Sequence, residues 1–113
     1  MAKYLIEETM TAQAAAGIMQ KPEDRTEVLR PIFEAAGCRL EQFYVSAIEN
    51  KDYFIVEAPD LNSVYTVGAT FMAGGTALFL KYTPLLTVPE AVDLPASNKF
   101  QSILRLVWVP RET

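Results

Sequence analysis

The strongest constraint on this chain is that its hydrophobic period switches from two to about 3.6 and back again along its length. Ala2 to Met10 alternates, with Tyr4, Ile6 and Met10 on one face and Lys3, Glu7 and Thr9 on the other. That pattern predicts a half-buried strand. Thr11 can cap a short Ala-rich helix over Ala12 to Met19, which Gly17 weakens. Pro22-Glu23-Asp24 reads as the start of the next helix, with acidic residues in its first turn. Val28, Leu29, Ile32, Phe33 and Ala36 form its apolar stripe and Gly37 its stop. Pro31 should kink or split it. Cys38 to Glu49 is a second strand, whose ambiguous phase points to a bulge near Gln42-Phe43. Asn50-Lys51-Asp52 is turn material, and Tyr53 to Ala58 is a near-continuous apolar strand suited to a central position. Asp60 caps a helix with Leu61, Val64, Tyr65, Gly68, Phe71 and Met72 on its buried face, ended by Gly74-Gly75. Thr76 to Leu86 is a fourth strand. Thr87 and Glu90 then have the spacing of a capping box for a short helix to about Asp93.

A chain of 113 residues suits one domain, able to bury roughly two-thirds of its unfolded surface. The order β-α-β-β-α-β with right-handed crossovers predicts an α+β, ferredoxin-like plait: a four-stranded antiparallel sheet with helices on one face. The plait should span residues 1–93. Residues 94–113 read as a linker, Leu94 to Asn98, and an additional C-terminal strand, Phe100 to Val109, apolar on both faces. An uncovered sheet face and such a strand both want partners, so we expect the sheet to pack against a partner subunit. The expected assembly is a homodimer or higher homo-oligomer, with the tail strand extending a sheet or crossing to the neighbour.

Composition narrows the chemistry. The chain has 10 Lys and Arg against 14 Asp and Glu, with no basic run, which argues against nucleic acid. It has no His, so His-based acid–base catalysis, His metal ligation and the usual triads are absent. Its one cysteine, Cys38, can form neither an intrachain disulfide nor a Cys-rich zinc site, and points to a reducing, cytoplasmic setting. Cys38 follows a helix C-terminus, where the dipole disfavours a reactive thiolate. Gly74-Gly75 follows a helix rather than preceding one, so it is no phosphate cradle. There is no Walker or dinucleotide motif, no metal-ligand spacing, no apolar run of membrane-spanning length and no signal-peptide core. We therefore expect no cofactor, no metal and no membrane association.

Met1-Ala2-Lys3-Tyr4-Leu5-Ile6, Thr11, Asp24-Arg25, Ala36-Gly37-Cys38-Arg39-Leu40 with Phe43-Tyr44, Glu57-Ala58-Pro59-Asp60 and Thr83-Pro84-Leu85-Leu86-Thr87 follow one another in an order that resembles the GYD-domain family. The resemblance covers roughly residues 1–93, on the scale of one domain. It implies a fold of the dimeric α+β barrel type and, because the family's biochemistry is largely uncharacterised, little chemistry. The Gly-Tyr-Asp tripeptide is not intact: Asn50-Lys51-Asp52 takes its place, followed by Tyr53.

Five residues are candidates for binding a small molecule. Arg25 lies beside the buried stripe of its helix and could meet an anionic group between helix and sheet. Tyr4, Tyr44 and Tyr53 could orient a ligand in an apolar site. Tyr4 and Tyr44 lead, since the first two strands should lie near each other. Asp52 sits with Tyr53 at the hairpin end. Glu7 and Glu57 could meet across strands. No residue is assigned a catalytic role. Three functions remain open: a self-associating module that binds a small molecule between helices and sheet, a cofactor-independent monooxygenase or isomerase using Arg25 and Tyr44, or a regulatory ligand-binding domain at a subunit interface.

Overall fold

A computed structural model describes residues 1–107. Four strands, β1 (Ala2–Met10), β2 (Arg39–Ser46), β3 (Lys51–Ala58) and β4 (Ala77–Leu85), form one antiparallel sheet in the order β2-β3-β1-β4. Helices α1 (Ala12–Gln20) and α2 (Thr26–Ala35) join β1 to β2, and α3 (Leu61–Ala73) joins β3 to β4. This is the ferredoxin-like arrangement that the order of elements predicts. The two central strands, β1 and β3, carry the most regular in-out alternation. That follows from their being paired on both sides, with helices over one face only.

Beneath the helices lies a core of Tyr4, Ile6, Phe33, Leu40, Phe54, Val56, Val64, Val67 and Phe71 with their neighbours. Its centre is aromatic. The Phe33 ring lies 5.1 Å from Phe54 and 5.8 Å from Phe71, and Phe43 stacks on Phe54 at 4.7 Å. Such pairs add attraction beyond simple burial. Gly68 of α3 is buried because Tyr82 and Leu80 of β4 press onto it. A side chain there would occupy the space of the tyrosine ring.

Several local features differ from the sequence reading. Helix α2 begins at Thr26, not at Pro22: Asp24 Oδ1 accepts from the Thr26 amide at 2.9 Å and turns the chain just before the helix. The acidic residue in its first turn is Glu27. Pro31 neither splits nor ends α2, which runs through it to Ala35. The register shift in β2 falls between Leu40 and Gln42, so Glu41 is the extra residue. Lys51 and Asp52 belong to β3 rather than to the turn. On α3, Tyr65 and Met72 are exposed, and Val67 takes a buried place instead.

The tail corrects the largest expectation. No strand forms over Phe100 to Val107. After the short helix α4 (Val88–Asp93) and a 3-10 turn at Leu94–Ala96, the chain enters a helix, α5 (Asn98–Val107). Ser97 caps it, its Oγ accepting from the Phe100 amide at 3.1 Å. Phe100, Ile103, Leu104 and Val107 are spaced i, i+3, i+4, i+7, which is helical spacing as much as the odd-even pattern is a strand's. Val109, the end of the expected strand, lies outside the described residues. Among the element contacts, α5 packs chiefly against the 3-10 turn, and the described chain measures 65 × 29 × 23 Å along its principal axes.

Candidate functional site

The buried face of β1 continues past Ile6 to Glu8, and that of β3 continues past Phe54 to Asp52. Antiparallel register sets Glu8 directly opposite Asp52. Side chains so paired lie within contact of one another, and two like charges there repel. Both are buried, Glu8 at 3% and Asp52 at 6% exposure. Burial pushes the Glu8 carboxyl up to about 8, and the Asp52 carboxyl beside it adds to the rise. Burial also raises Asp52, while the hydrogen bond from Glu8 and the charge of Arg25 hold it back. At neutral pH burial therefore favours the protonated form of Glu8, with the Asp52 carboxyl beside it as the acceptor for that proton. Glu8 Oε2 has no donor among the described residues. A protonated Glu8 with Asp52 as acceptor satisfies it. The Thr76 hydroxyl favours the ionised form of Glu8, but its proton already goes to the Phe71 carbonyl at 3.0 Å.

Arg25 stands at the N-terminal end of α2 and makes no side-chain cap. Its Nη1 lies 3.4 Å from Glu23 Oε1, and its charge reaches Asp52. The end of the sheet is closed by backbone ties. Thr11 Oγ1 donates to the Gly75 carbonyl at 2.8 Å, and Asn50 Nδ2 donates to the Met10 carbonyl at 3.1 Å. Asn50 has φ of 56°, in the left-handed region that Gly takes freely and Asn tolerates better than most residues. Thus Asn50 meets the turn's backbone demand, and Asp52, two residues on, supplies the buried carboxyl.

The five candidate residues divide between two faces. Arg25, Asp52 and Tyr4 are on the helix side; Tyr44 and Tyr53 pair across strands on the open side. Only Arg25 and Asp52 come together. Tyr4 is buried opposite Val56, four residues along β1 from Glu8, or about 13 Å at the rise of a strand. It does not meet Tyr44, because β3 lies between their strands and the sheet between their side chains. Tyr53 Oη donates to Glu49 Oε2 at 2.9 Å. Glu7 and Glu57 do not meet either. Glu57 stands opposite Lys3 and binds Lys3 Nζ and Arg39 Nη2, each at 3.1 Å. Glu7 faces Lys81, at 3.8 Å.

Lys3 Nζ also meets Glu41 Oε2 at 2.7 Å, and this contact first of all holds the Glu41 carboxyl down at about 2. Cys38 is buried, and that burial raises its thiol pKa, as does the charge of Asp60. Among the described residues no group of three or more Cys, Asp or Glu stands where it could hold a metal ion. No helix among them is long and apolar enough to cross a membrane. A groove of about 390 Å³ runs between α2 and α3, lined by Pro31, Ile32, Ala35, Ala36, Thr66 and Thr70. It contains neither carboxyl of the pair.

Fold and topology define a small α+β domain of the ferredoxin-like class. The family model for the GYD domain matches residues 4–94, so the chain belongs to the GYD domain family. Among solved structures, it is similar to an uncharacterized NIPSNAP domain protein from Burkholderia xenovorans. The identity is 12% and the TM-score 0.48, over 78% of this chain and 95% of that one. A comparison with curated proteins found no match.

Proposed function

We propose that the chain is a small self-associating module that pairs with a second copy through the uncovered face of its sheet. One observation carries this reading: the layout of that face. Across the strands its rows read Arg39-Glu57-Lys3-Leu85, Gln42-Ile55-Leu5-Thr83, Tyr44-Tyr53-Glu7-Lys81 and Ser46-Lys51-Thr9-Phe79. At the centre Ile55 and Leu5 stand between Gln42 and Thr83, with Tyr44, Tyr53, Glu7 and Lys81 in the row on one side and Arg39, Glu57 and Lys3 in the row on the other. Tyrosine beside mixed charge is the composition of an interface rim and core, and balanced charges let a face meet its own copy. Tyr44 and Phe79 are 58% and 64% exposed in the single chain.

Analytical ultracentrifugation tests this. The wild type should be a dimer or a higher even-numbered assembly. Tyr44→Glu with Phe79→Lys should weaken association by roughly 30-fold or more, the effect of losing one interface hot spot. A wild-type monomer, or an unchanged dissociation constant in the variant, refutes it.

A second reading, a cofactor-independent small-molecule enzyme, draws support from the Glu8–Asp52 pair. A buried carboxyl that holds its proton to about pH 8 is suited to give and take protons near neutrality. Its residues would be Glu8, Asp52 and Arg25. Tyr44 lies across the sheet and is no part of it. The phenylalanine cluster fills the middle of the space between helices and sheet, so a ligand there would be confined to the Arg25 end. Native mass spectrometry of freshly purified protein tests it: a retained small molecule lost in Glu8→Gln supports this reading, and ligand-free protein opposes it.

A further inference from the structure

Arg25 occupies a position that its helix does not favour. It stands at the N-terminal end of α2, gives no side-chain cap, and brings a positive charge to the positive end of the helix dipole. Its ion pair with Glu23 is long, at 3.4 Å, with the two side chains 43% and 42% exposed. A pair of that kind holds a side chain weakly. The other acids nearby are engaged elsewhere: Asp24 accepts from the Thr26 amide and hydroxyl, and Glu27 meets Arg30. Neither the helix nor Glu23 accounts for the cation, but its charge reaches the buried Asp52.

The other elements around the carboxyl pair offer it no cation. Opposite Asp52 on β2 stands Val45, and opposite Glu8 on β4 stands Leu80. Helices α1 and α3 carry no charged residue. Lys51 stands opposite Thr9 and Lys81 opposite Glu7, so both lie on the open face of the sheet, out of phase with the pair. The Thr76 hydroxyl gives its proton to the Phe71 carbonyl. Once Glu8 is ionised, two buried carboxylates face each other, and buried charge must be paired. Among the described residues, Arg25 is the cation whose charge reaches the pair.

We infer that Arg25 is a proton-operated latch: while Glu8 holds its proton, Arg25 rests on Glu23 at the surface, and when Glu8 ionises, Arg25 turns inward onto Glu8 and Asp52 and lets Glu23 go. Glu23 belongs to the connection between α1 and α2, whose residues Lys21 to Asp24 are all exposed. A proton lost inside the domain is thereby reported at its surface, as release of that connection. The latch needs no ligand and no second copy, so it stands apart from both readings of function.

Carbon-13 and nitrogen-15 NMR of the full chain, from about pH 5 to about pH 9.5, tests it. The carboxyl carbons of Glu8 and Asp52 report their own protons, and the Nε and Cζ shifts of Arg25 report its partner. The Arg25 and Glu8 signals should move together, with one midpoint near 8, and the Arg25 signals of Glu8→Gln should stay flat. In Arg25→Gln the Glu8 midpoint should rise by about one pH unit, roughly a tenfold gain in proton affinity, because the ionised pair has lost its cation. Arg25 signals that stay still while Glu8 titrates overturn the latch, as does an unmoved Glu8 midpoint in Arg25→Gln. A Glu8 carboxyl ionised over the whole range overturns it together with the protonated state of the pair.

Discussion

Replacing Glu8 by Gln should change how stability depends on pH far more than it changes stability at any one acidic pH. The Glu8 carboxyl titrates near 4.5 when unfolded and near 8 when folded. Between those values the folded chain binds a proton that the unfolded chain has released. Stability from this group is therefore fully present below about pH 4.5, falls as pH rises, and is gone above about 8. A shift of that size is worth at most about 5 kcal/mol, and about 4 kcal/mol of it is lost between roughly pH 5 and pH 8.5. Asp52 is raised too, so it adds in the same direction. Glu41, held down near 2 by Lys3, works oppositely, and costs stability only as pH falls below its unfolded value of 4.5. Stability should thus peak near pH 5. Gln keeps the shape of a protonated Glu and still donates to Asp52. At about pH 5 the variant should match the wild type within about 1 kcal/mol; at pH 8.5 it should be the more stable by several kcal/mol. Urea unfolding followed by circular dichroism across pH 4.5–9 measures both curves. If they run parallel, the Glu8 carboxyl is ionised in the folded protein and the proton-sharing account of the pair is wrong.

Two further substitutions test the packing. Phe33→Ala removes a side chain with no exposed surface from the centre of the phenylalanine cluster, and should cost about 3–5 kcal/mol in urea unfolding, against a far smaller loss for Phe33→Leu. Gly68→Ala would gain about 1 kcal/mol of helix propensity. However, its Cβ would overlap the Tyr82 hydroxyl, lie 2.8 Å from Tyr82 Cζ and 3.1 Å from Leu80 Cδ1. The Tyr82 ring cannot swing away freely because it packs on Tyr65 at 4.8 Å. A net loss of about 1–3 kcal/mol in thermal or urea melts is expected, and a net gain would show that the ring yields.

The sheet and its helices were legible because burial imposes its own period on the sequence. Tyr4, Ile6 and Met10 on one side of β1, and Leu29, Ile32, Phe33 and Ala36 along α2, are patterns that few other folds could use, although Val28 of the expected stripe is exposed. The tail was misread for the converse reason. Phe100 to Val107 is not buried deeply by anything in the single chain, so no face selects among its apolar residues, and periods of 2 and 3.6 fit nearly equally. The deciding signal was local: Ser97 ahead of Asn98 is a helix cap, and it lay inside the stretch read as linker. Arg25 and Asp52 were named as candidates for separate reasons, and their meeting needed the crossover that brings the start of α2 near the start of β3.

Glu8 shows where the physics was present and unread. Period two puts residue 8 on the face of residues 4, 6 and 10, so the strand assignment already buried a carboxylate. A buried acid must find a proton, a cation or a donor. Once β3 is placed beside β1 with Tyr4 opposite Val56, counting four residues along each strand delivers Asp52 to Glu8. A sequence reading that treats acidic residues as a list of possible metal ligands passes over this pair, because two carboxyls without a third are a poor metal site. Asking instead which polar residue shares a phase with the core finds it from the first ten residues.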